Sequence, residues 1–88
     1  MIFEAASRDC AIIVTCDLNG TTTNVQLEPP AMDLTEAELC NRLIRLATLA
    51  YLRSQLQIRL QWEANNKQVL SPLPTEAQVA AYAATIDF

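Results

Sequence analysis

The chain has 88 residues, 51% of them hydrophobic, and carries ten acidic against six basic side chains for a net charge of −4. That describes one small globular domain, not a disordered segment, and it disfavours a generic phosphate-binding surface. The chain has no histidine, so the commonest general base and zinc ligand is missing, and its single glycine leaves no room for a phosphate-cradling loop.

Ile2 to about Ser7 is a short apolar start that reads as a strand, interrupted by Arg8-Asp9. From Cys10 to Leu18 the sequence is rich in β-branched residues, with Ile12, Val14, Cys16 and Leu18 on one side and Ala11, Ile13, Thr15 and Asp17 on the other. Asn19-Gly20 follows, the pair favoured by a two-residue type I′ hairpin turn, in which both positions need φ > 0. Thr21 to Glu28 reads as the returning strand, with Val25 and Leu27 on one face and Asn24, Gln26 and Glu28 on the other. Pro29-Pro30 ends it, because neither residue can donate to a ladder.

Thr35, with Glu38 three residues later, fits a capping box, and Glu36 and Glu38 suit the positive end of the helix dipole better than acid–base chemistry. The helix then runs over about 35–65 without Pro or Gly, a rod of about 45 Å at 1.5 Å per residue. Its first half groups Leu39, Leu43, Leu46, Ala47 and Ala50 on one arc. Its second half carries two stripes on separate flanks: Leu49, Leu52, Leu56 and Leu60 on one, Ile44, Tyr51, Ile58 and Trp62 on the other. A helix apolar on two separated faces needs two covers. The chain's own sheet supplies one, and a partner chain is the simplest second. The pattern alone lets either stripe face the sheet. The expected protein interface is therefore Leu49, Tyr51, Leu52, Leu56, Ile58, Leu60 and Trp62. Arg42, Arg45, Arg53 and Arg59 share one broad arc of the same helix, as a solvated rim whose stems cover leucines or as contacts for an acidic partner.

Asn65-Asn66-Lys67 reads as the helix exit and Ser71-Pro72-Leu73-Pro74 as a rigid connector. Thr75 and Gln78 form the capping box of a last helix at about 75–86, with Val79, Tyr82 and Ile86 spaced to dock on the core. The three cysteines, Cys10, Cys16 and Cys40, include no C-x-x-C pair and read as reduced, buried thiols. The start lacks the basic and apolar regions of a signal peptide, and no apolar run is long enough to span a bilayer, so a cytoplasmic chain is expected. No nucleophile motif, metal site or cofactor site is expected, and the chain reads as non-enzymatic.

Taken together, Ile2-Phe3, Ala11 to Val14 leading to Asn19-Gly20, Val25-Gln26-Leu27, Met32, Thr35-Glu36-Ala37-Glu38-Leu39 and the ladder Ile44, Leu46-Ala47, Leu49-Ala50 form a pattern, completed by Leu73-Pro74, Glu76 and an Ala-rich tail. It resembles the YbaB-like proteins associated with mycobacterial ESX (type VII) secretion, of the EspD and EspH kind. The resemblance implies an α+β fold, a three-stranded antiparallel β-meander on one long helix with a short C-terminal helix, as a single domain over 1–88. It also implies a dimer and an accessory, chaperone-like or scaffolding role, with itself or a related secretion-associated protein as partner. Two export signals of that pathway are missing: there is no W-x-G, and Tyr82 has Asp87 five residues later where Y-x-x-x-D/E requires four. The wider YbaB-like group also contains nucleoid-associated DNA binders. That is the alternative function, and the acidic balance disfavours it.

Overall fold

The computed structural model describes residues 2–65 and 73–88. Three strands, β1 (Ile2–Ala6), β2 (Ile12–Asp17) and β3 (Thr22–Leu27), form an antiparallel sheet in the order β1-β2-β3. A 3₁₀ turn (Pro29–Asp33), the long helix α1 (Glu36–Ala64) and the short helix α2 (Glu76–Ala83) complete the α+β architecture expected from the sequence. Connector residues Asn66, Lys67, Ser71 and Pro72 lie outside the described residues.

The helix boundaries follow from local chemistry. Thr35 Oγ1 accepts the Glu38 amide at 3.2 Å, which satisfies one of the orphan donors in the first turn of α1. The capping box at α2 is complete, with Thr75 Oγ1 accepting from the Gln78 amide and Gln78 Oε1 accepting from the Thr75 amide. This helix stops at Ala83, short of the sequence expectation. There the Thr85 hydroxyl and amide both donate to the Tyr82 carbonyl, and the Ile86 amide donates to the Ala83 carbonyl. The tight turn drops Ile86 into the core.

Both hairpin corners are built around an aspartate. Asp9 Oδ1 accepts from the Ser7 hydroxyl at 2.7 Å and the Ala11 amide at 3.0 Å, while the Ser7 hydroxyl also accepts the Ile12 amide. Cys10 is held there at φ +58, so β2 begins at Ile12 and not at Cys10. At the other corner Asp17 Oδ1 accepts from the amides of Asn19 and Thr21. The expected type I′ turn is not what forms. Only Gly20, at φ +83, is left-handed, and the Asp17 amide donates to the Thr21 carbonyl, which makes a three-residue loop. The Tyr51 ring lies 2.7 Å from where a Gly20 Cβ would stand, so the backbone conformation and the close packing both call for glycine.

In the sheet, Ile12 pairs with Leu27 and Val14 with Val25, while Ala5 pairs with Val14 on the other side. These residues share the face turned to α1. Ala5, Ile12, Val14 and Cys16 are buried against Leu46, Leu49 and Ala50 of α1, with Val79 and Ile86 closing one end. Ser54 is also buried on this face, its hydroxyl donating to the Tyr51 carbonyl. α1 packs on β1 and β2, and α2 packs on α1. All six residues of β3 are exposed.

Candidate protein-interaction surfaces

The residues singled out on the long helix divide between core, flank and solvent. Leu49 is only 3% exposed and belongs to the core, which corrects its assignment to an interface. Leu52 and Leu56 are half-buried and pack against that core. The stripe of Leu49, Leu52 and Leu56, joined by Leu46 and Ala50, is therefore the one that meets the sheet, and Leu60 lies past the end of that cover. The other stripe stays outside. Ile44 is 66% exposed and Tyr51 46%, Trp62 is exposed and Ile58 half-buried. Ile44, Tyr51 and Ile58 recur every seven residues along one flank of α1, where Ile44 is open to solvent, the Tyr51 ring reaches Gly20 at the hairpin corner and Ile58 is half-buried. From Leu60 to Asn65 every residue is exposed, and this end of the rod projects past the sheet.

The four arginines are each engaged within the chain. Arg42 and Arg45 stack on the Phe88 ring at 4.9 and 5.0 Å from its centroid. Arg45 also donates to the Thr85 carbonyl and pairs with Asp87 at 3.6 Å. Arg53 donates to the Glu4 carbonyl on β1. Arg59 donates to Glu63 at 2.8 Å and to the Leu73 carbonyl at 2.9 Å. The arc is a row of intramolecular ties that fasten the tail and β1 to α1.

Sequence reasoning missed a second surface. Val25 and Leu27 sit on the core-facing side of the sheet, yet they are 44% and 39% exposed because α1 lies over the other two strands. The alternation of Val25 and Leu27 marks the face correctly, but nothing in it says whether that face is covered. Of the three cysteines, Cys16 is buried as expected, whereas Cys10 and Cys40 are exposed. Cys10 occupies a surface corner, and Cys40 lies on the helix near Ile44, so neither is a core thiol.

Among the described residues, no cluster of three or more metal-ligating side chains occurs, and no helix is long and apolar enough to cross a membrane. Two open clefts lie among the described residues. One, of about 470 Å³, runs between the first turns of α1 and Phe88. The other, of about 490 Å³, lies between Tyr51 and the start of α2. The chain matches no protein-family model, no curated protein and no solved structure.

Proposed function

We propose that this chain is a non-enzymatic protein-interaction module, acting in the cytoplasm as an accessory, chaperone-like or scaffolding protein of ESX type VII secretion. The observation that carries the association is the apolar flank of α1, where Ile44, Tyr51 and Ile58 repeat every seven residues and the first two stay exposed. A seam of that period fits the groove of another helix. The secretion setting rests on the resemblance in sequence pattern alone.

The duplex-binding alternative needs a free basic face. The chain has a net charge of −4, and Arg42, Arg45, Arg53 and Arg59 are occupied within it. A titration with duplex DNA at two salt concentrations decides against that alternative if no binding occurs at the lower one.

The association is tested with purified products of neighbouring genes, mixed pairwise with the chain and sized by light scattering. Ile44→Glu is the informative variant, since its exposure lets the fold survive while the seam gains a charge. A complex weakened tenfold or more by this substitution supports the reading. Complexes indifferent to it, or the absence of any complex, overturn it.

A further inference from the structure

The two outer strands of the sheet end in different ways. The Ser7 amide donates to the Ile12 carbonyl, so alternation along β1 turns the main-chain groups of Glu4 outward, and Arg53 caps that carbonyl. Just past β1, the Arg8 amide is taken by the Phe88 carbonyl. On the opposite side the Glu28 amide donates to the Ala11 carbonyl, so the same alternation turns the main-chain groups of Val25 and Leu27 outward. β3, Thr-Thr-Asn-Val-Gln-Leu, has no charged residue and no proline, the usual devices that keep an edge from pairing.

We propose that β3 is the pairing strand for a second copy of this chain, joining two three-stranded sheets edge to edge about a twofold axis at Val25. This names the partner at one surface of the association module proposed above and rests on that reading. The strand is self-complementary in this register. Val25 meets Val25 of the second copy, Asn24 meets Gln26, Thr23 meets Leu27 and Thr22 meets Glu28, so no two like charges face each other. That matters for chains that each carry −4 and repel elsewhere. The outward amide of each Val25 faces the outward carbonyl of the other copy's Val25, as a hydrogen-bonded antiparallel pair requires. The exposed Val25 and Leu27 side chains of both copies then form one apolar strip, continuous with Ile12 and Val14 in each core. On the β1 edge Arg53 takes the Glu4 carbonyl and the Phe88 carbonyl takes the Arg8 amide, which disfavours growth beyond six strands.

The full chain is tested in two ways. In a Cys10→Ser, Cys16→Ala, Cys40→Ser background, Val25→Cys is oxidised beside Thr22→Cys as control, Cys16 being replaced because its Sγ lies 3.9 Å from the Thr22 hydroxyl. The Cα atoms of the two Val25 positions would lie about 5.5 Å apart, within disulfide reach, while those of Thr22 would lie about 20 Å apart. Cross-linked dimer from Val25→Cys and little from Thr22→Cys is the expected result, and equal yields overturn the proposal. Sedimentation equilibrium from low to high micromolar concentration is the second arm. The wild-type mass should double, while Val25→Pro, which removes an outward donor and leaves the β2 ladder intact, should stay at one chain with an unchanged circular dichroism spectrum. A wild type that remains monomeric overturns the proposal. So does a Val25→Pro variant that still dimerises, and that outcome would move the contact to the helix seam and leave the association reading standing.

Discussion

Val14 and Val25 are cross-strand neighbours on the same face of the same sheet, yet one is in the core and the other is half in solvent. The difference is one of width. A helix with its side chains is about 10–12 Å across and strands are about 4.8 Å apart, so one helix shelters about two strands. α1 is fastened over β1 through Arg53 and over β2 through Leu46, Leu49 and Ala50, and the third strand falls outside. Equal hydrophobicity on two strands of one sheet therefore does not mean equal burial. It is the count of strands against helices that leaves an apolar edge over.

The sharpest test of that contrast uses the pair Ile12 and Leu27, which face each other across β2 and β3. Ile12→Ala empties a site that is fully enclosed and should cost about 3–4 kcal/mol of unfolding free energy. Leu27→Ala, at a site already 39% exposed, should cost under about 1 kcal/mol when measured at a concentration where the chain is monomeric. Urea unfolding of both variants reads the difference. Similar losses would mean that β3 is covered in solution and that the comparison between the two halves of the sheet fails.

Much of this architecture is legible in the residues. The strands come from alternation in Ile12–Asp17 and Thr22–Leu27, and the helices from their Thr caps and apolar spacing. Three things are not. The turn at Asn19-Gly20 follows the Asp17 carboxylate, which captures two amides and makes a longer loop than the dipeptide alone suggests. The arginines are an arc on a helical wheel, but their partners lie far along the chain, Glu4 for Arg53 and Thr85 for Arg45, and periodicity within one helix is blind to such distances. The two stripes of α1 look alike in sequence. Which of them meets the sheet is settled by where Ser54, Leu46 and Ala50 allow close approach.

Removing the tie on the protected edge gives a smaller effect of a different kind. Arg53→Ala deletes the donor that caps the Glu4 carbonyl, and it should cost about 1 kcal/mol, the net worth of one partly exposed hydrogen bond to a charged group. The more informative readout is amide exchange along β1. Protection at Ala5 and Phe3, and at Val14 whose amide faces Ala5, should drop while protection at Ile13 and Thr15, whose amides face β3, holds, because only the outer strand loses its anchor. Uniform loss across the sheet would show that Arg53 supports the whole core and is not an edge device.

The smallest effect concerns the corner where the protected half of the sheet turns. The Ser7 hydroxyl, and after it the Ala11 amide, hold the Asp9 carboxyl below its ordinary value of 3.8. A carboxyl whose affinity for protons falls on folding stabilises the fold when ionised. That contribution is present above the unfolded value and disappears as pH falls through the lower, folded one. The wild type should therefore exceed Asp9→Asn in urea midpoint by a constant margin from neutral pH down to about pH 5, and the margin should shrink towards zero in stronger acid. Because Asp9 sits at the surface the margin itself is slight, and the test lies in its shape. A difference that persists undiminished at the acid end would mean that the carboxylate's charge is irrelevant to the corner, and that Ser7 and the left-handed Cys10 are held there by packing alone.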